Sequence, residues 1–199
     1  VTRAVGELAH AWRRECGPRV VGITGTVGKT TAKDFTAAVL ANRFNVHSSP
    51  GNLNSREGLP LALMSLRRDH QVSVLELAMD STGEIAELAA IAEPEIGAVL
   101  NIGFTHVSKL GSIDAIAAEK LSLVRGLPRT GTALLNADDP RIAPVAADLG
   151  RLLARPLVEG PRDCDAPEGR RERGEDRERR QRAAGLLDRA PDRVRRALA

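Results

Sequence analysis

Short apolar runs alternate with amphipathic stretches through the first three quarters of the chain. Residues 20–24, 72–77 and 98–102 are compact, largely β-branched and aliphatic runs, as expected of strands buried on both faces. Residues 132–136 read as a further strand and 44–47 as a short one. Between them lie segments with helical spacing. These are 30–40, with Phe35, Ala38 and Val39 as its apolar positions; 59–66; 82–92, stopped by Pro94; and 113–124, which Ser112 is placed to cap. Strands separated by helices imply right-handed βαβ units. The predicted fold class is therefore α/β, a doubly wound, mostly parallel sheet flanked by helices. Polar residues at the strand carboxyl ends then converge on one edge, where open α/β sheets bind ligands.

The alternation stops near residue 160. Residues 161–199 hold 12 arginines, 9 acidic residues and no aromatic residue. The expectation is a charged, irregular or helical tail. A solvated disordered segment, a basic arm for an acidic partner and a stretch read out of frame all fit that composition. Without the tail, residues 1–160 carry 17 basic and 17 acidic residues and are neutral. That balance argues against a nucleic-acid partner. No apolar run reaches the ~20 residues a membrane-spanning helix needs, so no membrane insertion is expected. Residues 1–18 read as an amphipathic segment rather than a secretory signal. Cys16 and Cys164 lie far apart, without metal-ligand spacing. A cytoplasmic protein is the expectation.

The first strand runs directly into Gly25-Thr26-Val27-Gly28-Lys29-Thr30-Thr31. Glycines there let backbone N–H groups wrap an anion, and the following helix adds its positive amino end. Lys29 has the reach for β- and γ-phosphates, and the Thr30 hydroxyl suits Mg²⁺. The longer Gly-x-x-x-x-Gly-Lys form would need glycine at position 23, where this chain has Ile23. A glycine-rich turn with a surface lysine is the plainer alternative.

Further motifs follow other strands: Pro50-Gly51-Asn52-Leu53-Asn54 leading to Gly58-Leu59-Pro60; Glu76, then Gly83-Glu84-Ile85; Asn101-Ile102-Gly103-Phe104-Thr105-His106; Gly111-Ser112 with Glu119-Lys120; and Asn136-Ala137-Asp138-Asp139-Pro140. With the phosphate loop, they resemble the central ATPase domain of the Mur ligases over roughly residues 1–145. The loop at 51–60 and the Gly-Glu-Ile most resemble the member that adds D-alanyl-D-alanine.

The resemblance implies an ATP-dependent, amide-forming ligase of peptidoglycan precursor synthesis. Its substrates would be a UDP-muramyl peptide and D-alanyl-D-alanine, joined through an acyl phosphate. It implies ATP at Gly25, Thr26, Val27, Gly28, Lys29, Thr30, Thr31 and Asn101, with Asn136 and Asp139 near adenine and ribose. It implies two Mg²⁺ ions held by Thr30, Glu76, His106 and Lys120, with Lys120 carbamylated. Lys29, Lys120 and His106 become the catalytic residues, and Asn52 and Asn54 candidates for the peptide substrate. Val27 stands where many relatives carry asparagine.

Each residue has a plainer reading as well: a strand-end glutamate, a packing histidine, a solvated helix lysine, or turn-forming asparagines and aspartate. The organisation implied is a linker helix over 1–18, an ATP-binding domain over 19–158 that continues beyond it, and the tail over 159–199. The whole ligases have three domains, so this chain carries the ATPase part and is expected not to ligate alone. A monomer is expected. Alternatives are another ligase of the superfamily, adding the third amino acid or polyglutamylating a folate, and a nucleotide-binding module without catalysis.

Overall fold

The computed structural model describes residues 2–105, 107–148 and 152–155. The chain opens with α1 (Thr2–Cys16), β1 (Arg19–Thr24), α2 (Lys29–Leu40), β2 (Val46–Ser48) and α3 (Gly58–Met64). It continues through β3 (Val72–Glu76), α4 (Glu84–Ala92), β4 (Ile96–Val99) and the single turn α5 (Val107–Leu110). It ends with α6 (Ile113–Arg125), β5 (Thr132–Asn136), α7 (Ala143–Asp148) and β6 (Leu152–Arg155). The strands form one sheet in the order β2-β3-β1-β4-β5-β6, and every pairing is parallel. The chain moves to one side of β1 for β2 and β3 and to the other for β4 onward. The crevice at the carboxyl end of β1 is therefore the switch point, where such sheets take ligands.

Two apolar layers sandwich the sheet. On one face Val20, Leu75, Val99, Ala133 and Leu135 pack with Leu59 and Leu63 of α3, Ile85 and Leu88 of α4, and Leu121 and Leu123 of α6. On the other, Val21, Ile23, Val72 and Val74 pack against Leu40, Ala32 and Ala37 of α2. α6 lies unusually near the sheet because β1 and β4 present glycines to it. A Cβ on Gly22 would stand 3.3 Å from Leu123 Cδ1, and one on Gly97 would stand 3.2 Å from Leu127 Cδ1. That close approach is what lets a side chain of α6 touch the loop after β1.

α1 is anchored to the same layer. Trp12 Nε1 donates to the Leu66 carbonyl at 3.0 Å, and Arg13 donates to the Ala92 and Glu93 carbonyls at 2.9 and 3.0 Å. Its guanidinium thereby caps the carboxyl end of α4. Glu93, at φ 47°, ends that helix in a left-handed turn without glycine.

Several sequence expectations shift. β4 occupies Ile96–Val99, not 98–102, because Leu100 makes the last bond toward β1 and Asn101 turns away to the phosphate loop. The short strand is Val46–Ser48, not 44–47, since the Phe44 amide still bonds back to the Leu40 carbonyl. Phe35 and Ala38 of α2 face outward; Lys33 and Leu40 are its buried residues, with Ala32 and Ala37 half-buried against the sheet. β6 and α7 lie where no element was anticipated. The expected tail over 159–199 lies outside the described residues.

Candidate functional site

β1 delivers Gly25, Thr26, Val27 and Gly28 to the switch point, and α2 begins at Lys29. Gly28 sits at φ 80° as the residue before the helix, a left-handed conformation that a Cβ disfavours. The first bond of the helix runs from the Ala32 amide to the Gly28 carbonyl at 2.9 Å. The amides of residues 29–31 thus precede the ladder and point out of the helix's positive end, the arrangement that receives phosphate.

Asn101 braces this loop. Its Oδ1 accepts from the Thr26 and Val27 amides, both at 3.0 Å, and its Nδ2 donates to the Val27 carbonyl at 3.1 Å. The Thr26 hydroxyl accepts from the Gly103 amide at 2.8 Å. Lys29 folds across the loop and donates to the Thr26 carbonyl at 3.2 Å. The Val27 side chain is 65% exposed, so an asparagine there would reach solvent rather than the loop's own amides.

Beside the loop, β3 ends at Glu76, which is 2% exposed. Its Oε2 accepts from the Thr30 hydroxyl at 2.7 Å and its Oε1 from Asn54 Nδ2 at 2.8 Å. Both donors are neutral, and among the described residues no ion pair includes this carboxylate. A buried carboxylate without a counter-charge is costly. A divalent cation would supply the charge, and a carboxylate with an adjacent hydroxyl is the hard-oxygen set that Mg²⁺ takes, with water and phosphate oxygens completing its shell. The residues present therefore fit Mg²⁺. Among the described residues no group of three His, Cys, Asp or Glu side chains gathers into a metal cage.

Lys120 of α6 is 3% exposed, and its Nζ donates to the Gly25 carbonyl at 3.0 Å. Its pKa falls from 10.5 to about 8, chiefly through burial and then through the Lys29 cation, with Glu119 opposing both. Glu119 is itself buried and accepts from the Gly83 and Ile85 amides, each at 2.8 Å, holding the start of α4.

The remaining sequence candidates are distributed differently. Asp139 is buried, its carboxylate accepting from the Ile102 amide at 2.7 Å and the Arg141 amide at 2.9 Å. Asn136 donates to the Leu100 carbonyl at 3.0 Å and accepts from the Asp138 amide. Both stitch the loop after β5 to the end of β4. Asn54 joins the site, whereas Asn52 is exposed one turn away. Thr31 faces solvent on α2. His106 lies outside the described residues.

Lys33, Ser49 and Glu119 take roles that the sequence does not assign to them. Lys33, 2% exposed, donates to the Ser49 carbonyl at 2.8 Å, and Ser49 Oγ accepts from the Glu76 amide at 3.3 Å. The pair fixes the strand end that carries Glu76. The signal available was helical spacing, since Lys33 falls one turn after Lys29. Glu119 carried no signal beyond its place next to Lys120.

The family model for the Mur ligase middle domain matches residues 23–155. The chain belongs to the Mur ligase middle-domain family. Among curated relatives, it is 40% identical over 137 residues to the UDP-N-acetylmuramoyl-tripeptide–D-alanyl-D-alanine ligase of Bacillus subtilis, covering 69% of this chain and 30% of that protein. The ligase of the same name from Mycobacterium tuberculosis is 42% identical over 166 residues, covering 82% of this chain and 32% of its own length. A similar solved structure is the MurF ligase of Thermotoga maritima in complex with ADP, with a TM-score of 0.69 and 31% identity over 75% of this chain and 34% of that one. The chain therefore spans about a third of the length of the Mur ligases it matches. The parallel sheet and flanking helices are the fold expected of this family. No helix among the described residues is long and apolar enough to cross a membrane.

Proposed function

We propose that this chain is the Mg²⁺·ATP-binding part of a cytoplasmic ligase that adds D-alanyl-D-alanine to a UDP-muramyl peptide. The observation that carries the reading is the Thr30–Glu76 contact of 2.7 Å at the start of the phosphate loop helix, with the carboxylate buried and lacking a cationic partner among the described residues. The names of the relatives that share about 40% of these residues support the acceptor. Residues 19–158 form the binding domain in this reading, and 1–18 the helix that enters it. A monomer is the proposed state.

The chemistry transfers the γ-phosphoryl group of ATP to a substrate carboxylate, releasing ADP. The amine of the acceptor then attacks the acyl carbon, phosphate leaves, the amide forms and the amine gives up a proton. The protein's part is positioning and charge stabilisation. The helix-start amides and Lys29 hold the phosphates. Thr30 and Glu76 hold Mg²⁺, which supplies charge neutralisation on phosphate oxygens. His106 belongs to a second metal position in this reading, and Asn136 and Asp139 to the nucleoside side of the cleft. Asn54 links the loop proposed to meet the peptide substrate, Asn52 included, to Glu76.

Lys120 is the proposed site of carbamylation. Its neutral amine attacks the carbon of CO₂, an N–C bond forms, one proton passes to solvent, and an anionic carbamate replaces a cation. A pKa near 8 instead of 10.5 raises the neutral fraction at pH 7.5 about 200-fold. The Lys29 charge that repels the ammonium would attract the carbamate.

Calorimetric titration of the full chain with Mg²⁺·ATP tests the reading, beside Lys29→Ala and Glu76→Gln. Saturable binding is expected, lost in Lys29→Ala and stripped of its Mg²⁺ dependence in Glu76→Gln. Absence of binding by the unmodified chain, or binding indifferent to both substitutions, overturns it.

A further inference from the structure

Thr24 is the last residue of β1, and its hydroxyl is completely buried without a hydrogen-bond partner among the described residues. Buried hydroxyls are nearly always paired, and valine would fill the same space without the cost. The side-chain alternation of a strand puts Thr24 on the face of Val20 and Gly22. That face belongs to α6, because a Cβ on Gly22 would meet Leu123 at 3.3 Å. α6 runs back from the carboxyl edge of the sheet, so Lys120, one turn before Leu123, lies further toward that edge, as Thr24 does relative to Gly22. The Lys120 nitrogen reaches the carbonyl of Gly25, the residue that follows Thr24. The unpaired hydroxyl and the buried lysine thus share one layer and one level.

We propose that the Thr24 hydroxyl is the hydrogen-bond donor that holds the carbamate formed on Lys120. The inference rests on the carbamylation reading above. The unmodified lysine uses the Gly25 carbonyl as its acceptor and offers the hydroxyl no oxygen. Carbamylation keeps one N–H for that carbonyl and adds two anionic oxygens, which need donors. A hydroxyl in the same layer supplies one, which gives the Thr24 hydroxyl an acceptor and lowers the cost of burying the carbamate. Thr24 is then a positioning residue: it acts on the modified lysine, not on substrate.

The test is uptake of ¹³C-labelled bicarbonate by the full chain in Mg²⁺-containing buffer, read as the carbamate resonance by ¹³C NMR. The proteins compared are the unmodified chain, Lys120→Ala, Thr24→Val and Thr24→Ser. The resonance is expected in the unmodified chain and not in Lys120→Ala. Thr24→Val should raise the bicarbonate concentration for half occupancy by about tenfold, the equivalent of one charge-assisted hydrogen bond. Thr24→Ser should restore it, and Thr24→Val should melt no lower than the unmodified chain. Half occupancy unchanged in Thr24→Val overturns the role of Thr24 while leaving the carbamate in place, and a defect that serine fails to restore does the same. No Lys120-dependent resonance in the unmodified chain overturns the carbamate and Thr24's role together.

Discussion

Acid should loosen this protein through one histidine. His47 sits on β2 at 6% exposure, with Nε2 3.1 Å from the Ala62 carbonyl and 2.9 Å from Ser65 Oγ, and Nδ1 2.9 Å from Ser73 Oγ. A neutral ring protonated on Nε2 satisfies these partners: Nε2–H donates to the carbonyl and the Ser73 hydroxyl donates to Nδ1. The His70 ring lies 5.5 Å away, with the Arg67–Asp69 ion pair beyond it. The pKa of His47 falls from 6.5 to about 4, chiefly through burial and then through His70, with the Ala62 carbonyl opposing both. The folded pKa is below the unfolded one, so the unfolded chain binds the extra proton first. Stability is complete above about pH 6.5 and is lost as pH falls toward 4. A shift of about 2.5 units is worth about 3 kcal/mol in all, of which about 2 kcal/mol should be lost between pH 7 and pH 5. Urea unfolding followed by far-ultraviolet circular dichroism at pH 7, 6 and 5 measures it, on the unmodified chain and on His47→Gln, which cannot titrate. The unmodified chain should lose about 2 kcal/mol more than the variant over that interval. Equal losses in the two proteins would refute the reasoning. The stake is functional too, because β2 leads directly into the loop that brings Ser49 and Asn54 to Glu76.

Two further outcomes follow from the contacts. Asn101→Ala removes three bonds that brace the phosphate loop; at the low end of about 0.5 kcal/mol each, suited to a half-exposed site, Mg²⁺·ATP affinity by calorimetry should fall roughly tenfold. An unchanged dissociation constant would show that the loop holds its shape without the brace. Glu119→Gln sets an amide NH₂ against one of the two backbone N–H groups at the start of α4, which should cost about 2–3 kcal/mol in urea unfolding; a loss under half of that would mean the helix start is held by other contacts.

The chain's own pattern determined the sheet. β1 and β3 read directly from apolar runs bounded by turns, because strands buried on both faces need continuous aliphatic side chains. The phosphate loop was legible too, since glycine, lysine and threonine at that spacing after a strand meet a local requirement. Ser112 caps α6 as expected, its Oγ accepting from the Ala115 amide, for the same reason. Local rules stop there. The outward turn of Phe35 and the burial of Lys33 on α2 depend on which side of the helix meets β2 and β3, a choice made across the sheet. β4 ends early because Asn101 is drawn to the amides of a loop 75 residues earlier in the chain. The burial of Lys120 required Gly22 and Gly97 on two separate strands to admit α6, and the unpaired hydroxyl of Thr24 appears only when that helix is in place. Composition and spacing identify groups able to bind phosphate or metal; burial, counter-charge and the pairing of each polar atom are set by the packing of segments distant in sequence.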